Sequence, residues 1–371
     1  MDFSTTTLAE LTTDGKGSYG IAASAVDYSD TLYTYLRITD IRDDGTLDKD
    51  DLKSVDDERA SQYILKPNDI VFARTGASTG RNYFYDGSDG QFVYAGFLIK
   101  FSIDPKKVNP KYVKYYCMSD MYKGWVHSFK TGSTRGNINA KTLGNMVIPI
   151  PSRKQQDGIV NMLSSIDEKV KGNNEINKNL LEQAQATYTK MFITDADSSW
   201  PEGKLSDLIE VCYGKNHKKL NDGAIPVYGS GGIMRHVDQF LYDHESVLIP
   251  RKGTLNNVIY VNEPFWSVDT MFFTKMKRKN VAKFVFHFLK GKDLASMNTG
   301  SAVPSMTTKI LDAIPLQIPD DQTLSNFETL TSSYYETIAF NNKESKTLAD
   351  MRDSLLPRLM SGEIDVSGIE L

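Results

Sequence analysis

The chain has 371 residues, 40% hydrophobic and 24% charged, with a formal net charge of -4; that length can bury two cores, and the composition is ordinary for a soluble protein. Cys117 and Cys212, one in each half, set no disulfide framework and no cysteine metal site, as expected in a reducing cytoplasm, while the absence of a basic leader or of about 18 consecutive apolar residues argues against a targeting segment or membrane span. The acidic balance counts against DNA binding through bulk positive charge and leaves room for local basic clusters or basic partners.

Residues 1–152 read as one mixed unit. Positions 35–38, 69–73 and 92–101 have the aliphatic and aromatic make-up of short strands, and Gly76, Gly80, Gly87 and Gly90 punctuate the loops. Tyr112, Tyr115, Met118 and Tyr122 step by three, three and four, which predicts a helix over 112–122. The character changes over 153–192. Ile159, Leu163, Ile166 and Val170 form a helical ladder, Asn173 and Asn174 interrupt it, and Ile176, Leu180, Ala184, Tyr188 and Met191 resume it. Pro151 and Ser152 supply a helix start, and one helix here would span about 60 Å, beyond the width of a small domain.

Residues 193–319 return to the mixed type, with strands expected at 246–250, 257–261 and around Phe272 and Phe273, and a helix over 281–289. Residues 320–371 hold a second long helix, expected over 322–360. Its ladder is Phe327, Leu330, Tyr334, Ile338, Leu348, Met351, Leu355 and Leu359, with Asn341 as a polar rung. Pro357 should kink this helix or end it nearby.

The order repeats. Gly132 and Gly300, Lys141 and Lys309, Leu143 and Leu311, and Pro151 and Pro319 are each 168 residues apart. Two mixed units, each followed by a long helix, define an α+β protein with a pseudo-two-fold internal repeat. One apolar ladder fits the core stripe of an ordinary domain. Two at equivalent positions favour long helices packed on each other, with antiparallel pairing placing the units at opposite ends of one rod.

Each unit carries a basic, glycine-containing loop after a strand. The first holds Arg74, Thr75, Ser78, Thr79 and Arg81; the second holds Arg251, Lys252, Thr254 and Asn256. Arginine, lysine and hydroxyl groups hold phosphate, and arginine and asparagine read purine edges through paired hydrogen bonds. A tight turn with exposed charge accounts for one such loop, whereas its recurrence favours nucleic acid. Lys130, Ser133 and Arg135 form a further polar, basic loop before the first long helix. Lys215 and Lys218 belong to a short basic run that by itself reads as a solvated loop. Tyr228, Ser230 and Arg235 lie on a flexible glycine-rich strip. His217 and His236 lack a third ligand nearby and predict no metal site.

Enzyme signatures fail on inspection. The glycine strip at 228–232 lacks the strand–helix context and acidic partner of a dinucleotide loop. Asn262-Glu263-Pro264-Phe265 places glutamate where the Asn-Pro-Pro-Phe motif of adenine methyltransferases needs proline. Glu202 and Lys204 fit the tail of a nuclease signature, but Asp197 is too close to be its usual upstream acid, and there is no P-loop. The chain is read as non-catalytic.

Residues 351–364, from Met351-Arg352-Asp353 through Leu355, Pro357 and Arg358 to Gly362-Glu363-Ile364, carry the strongest family signature. Ile225-Pro226-Val227-Tyr228-Gly229-Ser230, Leu248-Ile249-Pro250-Arg251-Lys252-Gly253, Arg74-Thr75-Gly76 with Gly80, residues 136–151 and Gln155-Gln156 join it. Across essentially its full length the chain resembles the specificity subunit of Type I restriction-modification systems. The resemblance implies target recognition domains at 1–152 and 193–319, separated by two antiparallel spacer helices, one at 153–192 and the other, with a tail, at 320–371. Each domain would read one half of an asymmetric, bipartite site in double-stranded DNA, with the spacer setting the gap. It further implies two modification subunits that bind S-adenosylmethionine and methylate an adenine in each half, and restriction subunits that use ATP and Mg2+. No cofactor is expected in this chain, and its location is cytoplasmic. One departure is that the first recognition domain starts almost at Met1, with little leader before Leu8. The competing expectation is a coiled-coil interaction scaffold without sequence-specific DNA binding, which predicts no basic track shared by the two globular faces.

Overall fold

The computed structural model describes residues 3–129, 137–297 and 305–368. It has two compact units, Met1–Gly172 with Glu344–Leu371, and Asn173–Lys343. Each takes in part of both long helices, Arg153–Thr189 and Asp321–Met360.

The first unit is organised by the strand Asp69–Ala73, whose five residues are all buried. Side chains alternate between the two faces of a strand. Ile70 and Phe72 accordingly enter one apolar core, and Val71 and Ala73 another. Cover on both faces explains a continuous apolar run in place of alternation. This strand lies inside a sheet ordered Ser18–Tyr19, Leu98–Ser102, Asp69–Ala73, Asn82–Tyr85. A second sheet is ordered Ala25–Asp27, Lys53–Val55, Tyr33–Leu36, Phe92–Tyr94, its last pair parallel. Ser4–Thr7 pairs antiparallel with Val147–Ile150, directly before the first long helix.

The second unit repeats this plan. Ser246–Pro250 is wholly buried, with Val247 and Ile249 in one core and Leu248 in the other. Its sheet runs Ile209–Tyr213, Met271–Met276, Ser246–Pro250, Ile259–Val261. Gly232–Val237, Ile225–Gly229 and Trp266–Ser267 form the other sheet, whose last pair is again parallel. Glu202–Lys204 pairs antiparallel with Pro315–Gln317 before the second long helix.

Several boundaries differ from expectation, each for a local reason. The stretch 92–101 is two strands in two sheets, broken where a Cβ on Gly96 would lie 3.2 Å from the Ile21 carbonyl oxygen. The helix expected over 112–122 is two helices, Pro110–Tyr116 and Asp120–His127, because the Ser119 side chain accepts from the Tyr122 N–H and starts a new one. Asn109 caps the earlier helix, with Pro110 in its first turn, where proline loses no helical hydrogen bond. The strands expected at 35–38 and 257–261 are Tyr33–Leu36 and Ile259–Val261.

Within each unit the two long helices run antiparallel. In the first, Asp167 meets Arg352 at 3.0 Å and Lys169 meets Glu344 at 3.1 Å. In the second, Asn177 donates to Asn342 at 2.9 Å, and the rings of Tyr188 and Phe327 are 6.2 Å apart. The seam corrects the predicted ladders. Ile176 is exposed, and the buried positions are Asn173 and Asn177, so the spacing through Ile159, Leu163, Ile166 and Val170 continues without a break. Leu330 and Met351 are also exposed, and the second seam passes through Leu324, Phe327, Thr331, Tyr335 and Asn341. One residue is about 100° of helix rotation, so an adjacent apolar residue leaves the seam.

The second helix accommodates Pro357 by ending three residues later, at Met360, followed by Gly362 at φ 76°. The tail then crosses the start of the first long helix. Gln155 brackets it, donating to the Ile364 carbonyl at 3.0 Å and accepting from the Val366 N–H at 2.9 Å.

Candidate nucleic-acid interface

In both units the central buried strand ends on an arginine. Arg74 follows Asp69–Ala73, and Arg251 follows Ser246–Pro250. Their backbones are pinned alike. Arg74 N–H donates to the Phe97 carbonyl and its carbonyl accepts from Ile138; Arg251 N–H donates to the Thr270 carbonyl and its carbonyl accepts from Met306. The next residue bridges a returning segment in each case, Thr75 to Asn137 and Lys252 to Ser305. Each arginine lies over a tyrosine on the edge strand of the same sheet. The Arg74 guanidinium carbon is 5.1 Å from the Tyr19 ring centroid, and that of Arg251 is 5.4 Å from the Tyr213 ring. Arg251 also donates from Nη1 to the Asp269 carbonyl at 3.2 Å.

Charge separates these two arginines from the other described candidate arginines. Arg81 is paired with Asp43 at 2.7 Å and Arg235 with Asp222 at 2.9 Å. Among the described residues Arg74 and Arg251 have no carboxylate partner, and the buried Nε of Arg74 has no hydrogen-bond partner. A guanidinium without a carboxylate keeps its forked donors for an external pair of acceptors.

The remaining candidates divide by burial. Ser78 and Thr79 are enclosed, and the Thr79 hydroxyl donates to the Gly76 carbonyl at 2.8 Å, so these side chains shape the loop. Gly80 completes it at φ 88°, where a Cβ would lie 2.3 Å from the Val126 side chain. Tyr228 is buried with its hydroxyl 3.5 Å from Glu263. Asn256 closes a turn, donating to Asp293 at 3.1 Å and accepting from the Ala295 N–H at 2.9 Å. Ser230 lies beneath the second loop, where a Cβ on Gly253 would meet its hydroxyl oxygen at 2.7 Å. Lys252, Thr254, Lys215 and Lys218 are exposed. The run from Lys215 begins two residues after Tyr213 and is anchored by the Trp266 indole N–H on the Lys215 carbonyl at 2.8 Å. Lys130, Ser133 and Arg135 lie outside the described residues. Among the described residues no three His, Cys, Asp or Glu gather into a metal-holding group. No helix there is long and apolar enough to cross a membrane.

The sequence singles out the two arginines but not Tyr19 and Tyr213, over whose rings they lie. The only signal was a tyrosine at the end of a short edge strand, a common place for one.

A duplicated mixed unit, each copy ending its central strand on an arginine that has no acidic partner among the described residues and leading into a long helix, defines a class of two-part recognition proteins. The Type I restriction modification DNA specificity domain matches residues 6–183 and 197–349, and the chain belongs to that family. It is 22% identical over 309 residues to the Type I restriction enzyme MjaIX specificity subunit of Methanocaldococcus jannaschii, covering 71% of this chain and 72% of that one. A 92-residue stretch is 32% identical to the Type I restriction enzyme HindI specificity subunit of Haemophilus influenzae, covering 25% and 18% respectively. The fold is similar to that of the Type-I restriction-modification system S subunit from M. genitalium, with a TM-score of 0.58, 18% identity, and 97% and 96% of the two chains covered. The chain is thus a DNA sequence-recognition protein of the Type I restriction-modification family.

Proposed function

We propose that this chain reads a bipartite, asymmetric DNA site, one half through each mixed unit, and contains no catalytic centre of its own. The recognition domains are residues 1–152 and 193–319; 153–192 is the central spacer helix and 320–371 the C-terminal spacer helix and tail, and these helices carry two modification subunits and, through them, the restriction subunits. S-adenosylmethionine, ATP and Mg2+ serve those partners, and the assembly works in the cytoplasm. The DNA-facing set is Arg74 and Thr75 in one domain, and Arg251, Lys252, Thr254, Lys215 and Lys218 in the other. One observation carries the reading: an arginine with no carboxylate partner among the described residues stands at the same strand end in both repeats. Linked readers multiply their discrimination, since each good base contact contributes about 1–3 kcal/mol.

The test is to co-express the chain with the neighbouring modification subunit and map methylated adenines genome-wide. An asymmetric two-part motif with a fixed gap is expected, and it should vanish when this chain is omitted. An undivided motif, or methylation that persists without the chain, would refute the reading.

A further inference from the structure

We propose that Tyr19 and Tyr213 are positioning residues: each holds its arginine as a preset DNA contact, and each governs one half-site alone. The inference rests on the DNA-reading function above and adds residues that neither the loop sequences nor the family match single out.

An arginine side chain at a protein surface carries many rotamers, and fixing it on binding costs conformational entropy. Stacking on an aromatic face removes much of that freedom beforehand. Tyr19 and Tyr213 are suited to this role because they are rigid and themselves held. The Tyr19 hydroxyl accepts the Ala140 N–H at 3.2 Å. The Tyr213 ring packs edge-on against Phe272, 5.1 Å between centroids, a residue buried in the core. Both tyrosines are nonetheless well exposed, at 43% and 54%, so neither is kept in place merely by being core. The arrangement is doubled in detail. In each unit the tyrosine ends an edge strand, the next strand supplies the sheet neighbour, and the arginine follows the third. Two stacked arginines with equivalent backbone anchors are a recurrent device, whereas Arg81 and Arg235 are held by carboxylates.

A stacked guanidinium offers a planar fork to two acceptors, either guanine O6 and N7 or two phosphate oxygens. The two cases separate experimentally. A base contact is lost at one position of one half-site, whereas a phosphate contact is lost equally on every sequence and lowers the salt dependence of binding.

The experiment uses the complex of this chain with its modification subunits and a labelled duplex carrying the mapped methylation site, against a scrambled duplex of equal length. Tyr213→Leu should weaken specific binding about fivefold, and Arg251→Ala about thirtyfold. The double variant should bind no worse than Arg251→Ala, because the tyrosine acts only through the arginine. Tyr213→Phe keeps the ring and should bind like wild type. Tyr19→Leu and Arg74→Ala should show the same coupling, confined to base changes in the other half-site. Wild-type affinity in both leucine variants, losses that multiply in the double variants, or a loss in Tyr213→Phe equal to that in Tyr213→Leu would overturn the positioning role while leaving DNA reading intact. If the unmodified complex fails to distinguish the mapped site from the scrambled duplex, the DNA-reading function falls, and this inference with it.

Discussion

Acid should loosen the second unit through His287, and the size of the effect can be worked out. The imidazole is buried on the helix Ala282–Lys290, with Nδ1 2.8 Å from Gln185 Oε1 and Nε2 2.7 Å from the Tyr335 hydroxyl. Gln185 Oε1 only accepts, so Nδ1 carries the hydrogen and Nε2 accepts from Tyr335. Burial, and secondarily the charge of Lys290, pushes the pKa from 6.5 down to about 4. Between those values the unfolded chain binds more protons than the folded one, so stability falls as pH drops through the window. The full gap corresponds to about 3 kcal/mol, of which about 2 kcal/mol is lost by about pH 5. Glu245 works in the opposite sense, because burial raises its pKa and the folded state binds its proton more readily. Comparing wild type with His287→Gln cancels that contribution. Urea unfolding at neutral pH and at about pH 5, followed by circular dichroism, should show the variant losing about 2 kcal/mol less than wild type on acidification. Equal losses in the two proteins would refute the assignment of the buried neutral imidazole.

Three further outcomes follow from the packing of the long helices. Asn341→Leu strips the donor from Asn177 Oδ1 inside the helix seam and should cost about 1–3 kcal/mol in urea unfolding, whereas Asn177→Leu with Asn341→Leu should recover most of that loss; equal destabilisation by both would contradict it. Burial alone would raise the pKa of Asp167, but Lys114, Arg352 and the Tyr115 hydroxyl outweigh it and hold the carboxyl below its usual range. Its stabilisation is therefore complete at neutral pH and is lost as pH falls through the depressed pKa, and Asp167→Asn should remove about 1–3 kcal/mol at pH 7, with a shallower acid limb in the melting profile. Gly158→Val places a Cβ 2.8 Å from the Val366 carbonyl oxygen, which should cost about 1–3 kcal/mol and speed hydrogen exchange at the Val366 amide, now that Gln155 cannot bracket the tail; unchanged exchange there would count against the tail as a clamp on this helix.

What could be read from the chain alone was set by how local the determining forces are. The strands Asp69–Ala73 and Ser246–Pro250 were legible to the residue, because burial on both faces demands an unbroken apolar run. The break at Cys117–Ser119 was not, because the tyrosine spacing persists across it and a single serine cap decides the matter. The arginines stood out through their chemistry and recurrence. Tyr19 and Tyr213 did not, since stacking depends on a strand neighbour distant in sequence.

Asn173 shows the difference most clearly. It was visible as a polar interruption, and Asn341 as a polar rung, 168 residues apart like the other repeat landmarks. Periodicity identifies which face of a helix is apolar but not what that face meets, so each asparagine alone looked like a gap in a ladder. In the fold Asn173 donates to the Asn341 carbonyl at 3.4 Å, and Asn341 donates to Asn177 at 2.9 Å. Each repeat thus contributes the same residue to one buried polar layer. Such a layer is costly to misalign, because a shift by one turn would set Asn177 against Ile338 or Asn341 against Leu181, apolar positions that offer no partner. The interruption that weakened each helix prediction is therefore the feature best placed to fix the register of the pair.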